Sequence, residues 1–112
     1  MQHVKKTWGT ETIFVNEPEY CLKELRIDPG KRCSLHYHNI KKETFIVQSG
    51  FIRIERLGYP DLVLKHGDQL LILPKTPHRF SSVNGATMLE VSTHDDSEDC
   101  VRIEPSGELP GN

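Results

Sequence analysis

The chain has 112 residues, of which 36 % are hydrophobic and 27 % charged, and its formal net charge is −2 at pH 7. This length provides for one hydrophobic core and not for two, so we expect a single domain over residues 1–112. No apolar run approaches the roughly 20 residues of a membrane span. The interspersed charges form neither a basic stripe for nucleic acid nor a basic amphipathic helix for lipid, so neither nucleic acid nor a membrane is expected as a partner.

The N-terminus and the cysteines indicate the compartment. The first six residues lack the apolar stretch and the small-residue cleavage site of a secretory signal. Cys21, Cys33 and Cys100 are far apart, odd in number and form no CxxC pair. This pattern favours reduced thiols over a disulfide framework or a thiolate metal site. The sequence thus predicts a cytoplasmic protein.

Short runs rich in β-branched and aromatic residues follow one another along the chain, and Gly, Pro, Asn and Asp separate them. The runs predict strands at Thr12–Val15, Tyr20–Ile27, Cys33–His38, Thr44–Gln48, Phe51–Leu57, Leu62–Leu64, Gln69–Leu73, His78–Ser82, Thr87–Ser92 and Val101–Ile103. No apolar pattern of helical period lasts three turns, so an all-β sandwich or barrel is predicted. The polar ends, residues 1–7 and 105–112, are expected to be loosely ordered.

Four side chains on these strands form a candidate metal site. Successive side chains of a strand point to opposite faces, so His36 and His38 face the same side. Glu43 opens the next strand of the same hairpin, and His78 begins a strand after a proline-bracketed corner. Three imidazoles and one carboxylate favour one divalent transition metal ion (Mn, Fe, Ni, Zn or Co) over Mg or Ca. Alternatively, the four side chains satisfy one another by hydrogen bonds and bind no ion.

Two further residues are candidates for contact with a substrate. Glu90 lies between two apolar residues of a strand, where an unpaired carboxylate is costly, so it either faces solvent or serves a site. Inside a barrel, burial would raise its pKa toward the range of a general base, which makes Glu90 a candidate catalytic proton shuttle. Arg53 is a candidate for binding an anionic group of a substrate. The Lys41-Lys42 pair and the acidic residues 95–99 are predicted to be solvated.

The spacing of the candidate ligands resembles the two motifs of the cupins. The first motif is matched by Gly30, five residues, His36-Tyr37-His38, four residues, Glu43, six residues and Gly50. The second motif is met by Gly67, Pro74 and His78. The resemblance implies a single-domain cupin (jelly-roll) β-barrel, and it assigns the role of metal ligand to His36, His38, Glu43 and His78. Small cupins are commonly homodimers, so a homodimer is also expected.

A closer likeness is to the cupin part of type II mannose-6-phosphate isomerases and related small sugar cupins. It is carried by Trp8-Gly9-Thr10-Glu11, Ser34-Leu35-His36-Tyr37-His38, Pro77-His78-Arg79-Phe80 and Leu89-Glu90-Val91-Ser92. The likeness implies a small sugar or sugar phosphate as substrate. It also implies an isomerase or epimerase in which the metal steadies the enediolate formed by proton abstraction. Two alternatives remain open, an Fe(II)-dependent oxygenase and a non-catalytic sugar-binding or sensing cupin.

Overall fold

The computed structural model describes residues 1–111, which fold into two antiparallel β-sheets. Their strands are β1 (Gln2–Lys6), β2 (Gly9–Asn16), β3 (Cys21–Ile27), β4 (Lys31–Arg32), β5 (Leu35–His38), β6 (Glu43–Gly50), β7 (Ile52–Arg56), β8 (Leu62–Leu64), β9 (Gln69–Ile72), β10 (His78–Ser82), β11 (Ala86–Ser92), β12 (Cys100–Glu104) and β13 (Gly107–Glu108). A short 3₁₀ helix, Ser97–Asp99, precedes β12.

The first sheet has the strand order β1-β2-β3-β11-β6-β9, and the second has the order β12-β5-β10-β4-β13, with β7 beside β10 and β8 beside β7. This arrangement confirms the predicted all-β jelly-roll barrel. Each predicted strand is present, and the largest shift of a boundary is at β2, which begins at Gly9 instead of Thr12. Among residues 1–111, no helix is long and apolar enough to cross a membrane.

Alternation along the strands builds the barrel interior. In β3, β6 and β11 the first, third and fifth residues are buried, because every second side chain points inward. The apolar core consists of Trp8, Leu25, Ile27, Cys33, Phe45, Val47, Ile52, Ile54, Leu64, Ile72, Phe80, Ala86 and Met88. At the other end of the same inward rows stand Lys23, Glu43 and Glu90. The interior is therefore apolar at one end and polar at the other.

Strands near both ends of the chain belong to the sheets: β1 and β13 lie within the segments 1–7 and 105–112 for which loose order is expected, and position 112 of that expectation lies outside the described residues. Strand β1 pairs with β2 along its whole length, and β13 pairs with β4. Backbone N–H and C=O groups form these ladders, so polar side chains do not prevent an edge strand. The ring of Trp8 fixes the β1–β2 hairpin, because it packs edge-on against Phe80 with 5.0 Å between ring centroids.

The backbone conformation explains why a glycine occupies position 50 of the cupin-like motif. It has φ +76°, and a Cβ added there would lie 2.5 Å from the carbonyl oxygen of Gly85. A side chain would therefore be strained by the backbone conformation and would also collide with a neighbouring strand. Glycine at this position lets β6 turn directly into β7.

Candidate functional site

The polar end of the barrel surrounds a cavity of about 890 Å³. Side chains of the first sheet, including those of β1, form much of its wall. Strand β12 and residues 95–97 contribute to it as well. Among the ionisable groups that line it are His36, His38, Lys41, Glu43, Glu90, Cys100 and Arg102. A volume of this order is typical of sites that bind small molecules.

The four residues of the predicted metal site lie side by side; His36, His38 and Glu43 line this cavity, and His78 is buried next to them. His78 and His36 are direct partners across the β10–β5 pairing, and their ring centroids are 4.6 Å apart. Glu43 lies close to the rings of His78 and His38: its Oε1 is 3.0 Å from His78 Nε2, and its Oε2 is 3.6 Å from His38 Nε2. Strand register thus brings together groups from two parts of the chain that are 35 residues apart.

Two of the imidazoles are oriented by backbone carbonyl groups. His36 Nδ1 lies 2.8 Å from the carbonyl oxygen of Ser34, and His78 Nδ1 lies 2.8 Å from that of Thr76. A carbonyl can only accept a hydrogen bond, so Nδ1 donates in both rings and Nε2 is left for a ligand. Burial, together with the neighbouring His78, lowers the pKa of His36 to about 4, so this ring is neutral at pH 7.

The carboxylate of Glu43 has the character expected of a ligand for a cation. Glu43 is 2 % exposed, and its Oε2 forms no hydrogen bond, although Lys41 Nζ lies 3.1 Å away. Burial opposes its charge, but the contact with His78 and the nearby Lys41 hold the pKa of Glu43 well below its usual range. A divalent transition metal ion could bind to both oxygen and nitrogen donors, so this donor set fits one.

A buried lysine connects the candidate ligands to Glu90. Lys41 is 4 % exposed, and its Nζ lies 3.0 Å from Glu90 Oε2, 3.1 Å from Glu43 Oε2 and 2.9 Å from Asp95 Oδ1. Lys23 extends the network, because its Nζ lies 2.9 Å from Asp95 Oδ2. Burial opposes the charge on Lys41, but the three surrounding carboxylates together raise its pKa above the usual value. The ammonium group is therefore charged at pH 7.

Glu90 faces the interior and lines the cavity, so of its two sequence-based orientations the structure has the inward one. Burial raises the pKa of Glu90 to about 7, and the charge of Glu43 acts in the same direction, whereas Lys41 and Lys23 oppose the shift. A carboxyl group of this kind exchanges its proton close to neutral pH.

The prediction that Lys41 is solvated was wrong, whereas Lys42 is exposed as predicted. Residues 96–98 are also exposed as predicted, but Asp95 and Asp99 are half-buried. The carboxylate of Asp99 accepts hydrogen bonds from the backbone N–H groups of Asn39, Ile40 and Lys41. These bonds hold the β5–β6 turn against the barrel, so that Lys41 points inward. One signal was present in the sequence, because Lys41 stands two residues before Glu43 and shares its parity.

Arg53 is not brought to the cavity. Its neighbours on β7, Ile52 and Ile54, are the inward residues, so the Arg53 side chain points outward and is 57 % exposed. Its guanidinium pairs with Asp61 on the outer surface. Arg102 on β12 and Lys5 on β1 are cationic side chains that line the cavity instead.

Cys100 is a residue that the sequence did not indicate. It follows the 3₁₀ helix and pairs with His38 across the β12–β5 ladder. Its Sγ and the ring nitrogens of His36 and His38 all lie within 4.8 Å of one another. The cysteine stands 62 positions after His38 in the sequence, and no spacing rule links the two, so only the strand pairing reveals this contact.

A comparison with protein families finds a match to the Cupin domain over residues 23–93. This segment contains all four predicted metal ligands and Glu90.

Two curated relatives are sugar isomerases. The chain is 29 % identical to the D-lyxose/D-mannose isomerase of Thermosediminibacter oceani over an alignment that covers 83 % of this chain and 66 % of that protein, just under two thirds. It is 28 % identical to the D-lyxose ketol-isomerase of a Thermofilum species, with 89 % of this chain and 71 % of that protein covered.

Solved structures with the same fold are more distant in sequence. KdgF from a Halomonas species superposes with a TM-score of 0.72 at 17 % identity and covers 80 % of this chain and 82 % of its own. The DMSP lyase DddQ from Ruegeria pomeroyi gives a TM-score of 0.73 at 20 % identity, over 88 % of this chain and 53 % of its own. At these identities the likeness concerns the fold alone.

Proposed function

The chain belongs to the cupin family, and from this premise we propose that it is a metal-dependent isomerase that interconverts the aldose and ketose forms of a small sugar. One observation carries the proposal: three candidate metal ligands, His36, His38 and Glu43, line the same cavity as the buried Glu90, and Lys41 bridges Glu43 and Glu90. The two curated sugar isomerases support the choice of reaction.

The proposed metal ligands are His36, His38, Glu43 and His78. When bound, a divalent ion supplies Lewis-acid stabilisation for negative charge that develops on a sugar oxygen. The carbonyl groups of Ser34 and Thr76 hold the rings of His36 and His78 so that Nε2 is presented to the ion. Three nitrogen donors and one oxygen donor suit Mn, Fe, Ni, Zn and Co, so the proposed ion is one of these five metals. The protein ligands do not distinguish among them.

Glu90 is the proposed proton shuttle. Aldose–ketose isomerisation moves one proton between two neighbouring carbon atoms and a second proton from the hydroxyl oxygen of one carbon to the carbonyl oxygen of the other. Glu90 takes up the carbon-bound proton and returns it to the neighbouring carbon, so its carboxylate ends unchanged. Lys41 holds one carboxylate oxygen of Glu90 through a hydrogen bond of 3.0 Å, which leaves the other oxygen for the substrate. The surrounding walls exclude bulk water from this pair, since both residues are at most 5 % exposed.

The proposed substrate is a monosaccharide of the D-lyxose and D-mannose type. The cavity of about 890 Å³ is large enough for such a molecule. Its wall includes charged side chains near the candidate ligands, among them Lys41, Glu90 and Asp95, and these are suitable partners for sugar hydroxyls. Arg53, the sequence-based candidate for an anionic group, lies outside the cavity and is left out of the proposal.

The proposal is tested first by metal content. Protein purified without a metal-affinity tag is analysed for bound metals beside His78→Ala and Glu43→Gln. We expect a near-stoichiometric transition metal in the wild type and, for Mn, Fe, Ni and Co, its loss in both variants. A wild type that stays empty after Mn, Fe, Ni, Co and Zn are supplied would contradict the metal site, and it would favour the hydrogen-bonded polar core.

The second test is turnover of D-lyxose and D-mannose by metal-loaded protein, followed as ketose formation. Glu90→Gln keeps the shape of the side chain but cannot take up a proton, so kcat should fall by roughly 10²-fold or more. Glu24→Gln, at an outward position of β3, is the matched control and should keep its activity. Metal and sugar binding without turnover would instead favour a sensing cupin, and iron-dependent oxygen uptake would favour an oxygenase.

We also propose a homodimer in the cytoplasm. Val91 and Leu71 flank Thr44 in one row across the outer face of the first sheet, and they are 43 % and 48 % exposed. Pairing of this face with a second copy would cover them. The mass in solution should be that of two chains, and Val91→Asp should halve it. A wild type of single-chain mass refutes the dimer.

A further inference from the structure

We propose that Cys100, His36 and His38 form a second coordination set in the cavity, which binds a thiophilic divalent ion such as Zn²⁺ through one sulfur and two nitrogen atoms. This set is distinct from the one that contains Glu43 and His78. It shares His36 and His38 with the four ligands proposed for the isomerase site, so one ion takes one set or the other.

The geometry of the set is fixed by backbone pairing. Cys100 is the direct partner of His38 and Arg102 is that of His36 across the β12–β5 ladder. The sulfur and the two ring nitrogens lie within 4.8 Å of one another, so a single ion between them needs only small side-chain movements to reach all three. Cys100 also lines the cavity and is partly exposed, which gives an ion a route to it.

The segment before Cys100 is held firmly. Asp99 Oδ2 accepts a hydrogen bond of 2.9 Å from the backbone N–H of Lys41, and Oδ1 accepts one of 3.0 Å from that of Asn39. These bonds tie the start of β12 to the turn that follows His38. The thiol and the imidazole are therefore attached to one rigid unit, as a metal site requires.

The other two thiols do not offer the same possibility. Cys21 is 1 % exposed and Cys33 is 3 % exposed, so both belong to the packed interior. The sulfur of Cys33 is already used, because it accepts a hydrogen bond from the backbone N–H of Phe80 and donates one to the carbonyl oxygen of Ser34.

The chemistry of the ion selects the coordination set. A soft thiolate donor favours Zn²⁺ over Mn²⁺, whereas a carboxylate suits Mn²⁺ well. Binding replaces the S–H bond of Cys100 with a metal–sulfur bond and releases the proton to solvent, without oxidation or reduction. We thus expect Zn²⁺ to bind through Cys100 and Mn²⁺ to bind through Glu43.

The test is X-ray absorption spectroscopy of metal-free protein loaded with one equivalent of Zn²⁺. A sulfur neighbour is expected at about 2.3 Å from zinc, beside nitrogen and oxygen neighbours at about 2.0–2.1 Å. Cys100→Ser should lose the sulfur neighbour and retain its circular dichroism spectrum. Glu43→Gln should keep the sulfur neighbour, because Glu43 is outside this set.

A wild-type zinc spectrum with nitrogen and oxygen neighbours only would overturn the inference, and so would a sulfur neighbour that persists in Cys100→Ser. These results leave the proposed isomerase unaffected, because that proposal does not depend on Cys100. Conversely, loss of the isomerase proposal leaves the sulfur neighbour as a separate finding.

Discussion

Replacement of Lys41 by methionine is expected to remove a large part of the stability of this fold. Methionine has a similar length, so the space occupied by the side chain changes little. Among the ion pairs of residues 1–111, Lys41 is the only positive charge that lies within 3.1 Å of both Glu43 and Glu90, and the change removes it. The change also removes a partner of Asp95. The carboxylates of Glu43 and Glu90 remain in the interior, where they are 2 % and 5 % exposed.

The expected cost follows from the burial of these groups. Removing one partner of a buried ion pair costs about 3–5 kcal/mol, because the remaining charge is left without compensation. Lys41 is 4 % exposed and contacts three carboxylates, so this buried case applies rather than the surface case of about 0–1 kcal/mol. At about 4 °C or more per kcal/mol for a domain of this size, Tm should fall by roughly 12 °C or more.

The assay is equilibrium unfolding in urea, with Lys42→Met as the matched control. Lys42 is the next residue and is exposed, so its replacement should change the free energy of unfolding by less than about 0.5 kcal/mol. Both proteins are measured without metal and at the same pH. Equal stabilities of the two variants would refute the reasoning, since they would mean that Lys41 is not buried among carboxylates in solution.

Three further predictions concern the surrounding structure. Gly50→Ala should destabilise the fold more than Gly58→Ala, as measured by urea unfolding. Both glycines have positive φ, but only at Gly50 would an added Cβ lie 2.5 Å from a carbonyl oxygen. Equal losses of unfolding free energy in the two variants would contradict the collision. Asp99→Ala should cost roughly 1–3 kcal/mol through lost hydrogen bonds to three backbone N–H groups, and an unchanged urea midpoint would show that they contribute nothing. Burial opposes the charge of Asp95, but the nearby Lys41 outweighs burial and lowers the pKa of Asp95 to about 2 from 3.8. The stabilisation that this carboxylate provides is therefore complete above pH 3.8 and is lost as the pH falls toward 2. Between these pH values, the calorimetric Tm should therefore fall less in Asp95→Asn than in the wild type. Parallel curves of Tm against pH would contradict a stabilising role of this carboxylate.

Local rules determined much of the site. The parity of a strand places His36 and His38 on one face, and this placement depends on neighbouring residues alone. Turn residues and β-branched runs predict the strands for the same reason. Glu43 follows after only four residues, but β5 and β6 lie in different sheets, so these strands form a corner of the barrel and not the predicted hairpin. The inward direction of Lys41 was available from its parity with Glu43 but was outweighed by the usual solvation of a lysine in a turn.

Tertiary structure decided what depends on pairing between distant strands. The orientation of Glu90 follows from the position of β11 between β3 and β6, because an inward row on a central strand must be buried. Cys100 meets His38 only because β12 pairs with β5 in this register. The sequence of one strand does not identify its distant partner, since every residue except proline offers the same backbone N–H and C=O groups to a neighbouring strand. The sequence therefore identified the candidate ligands, while the folded sheets supplied the buried charges and the thiol around them.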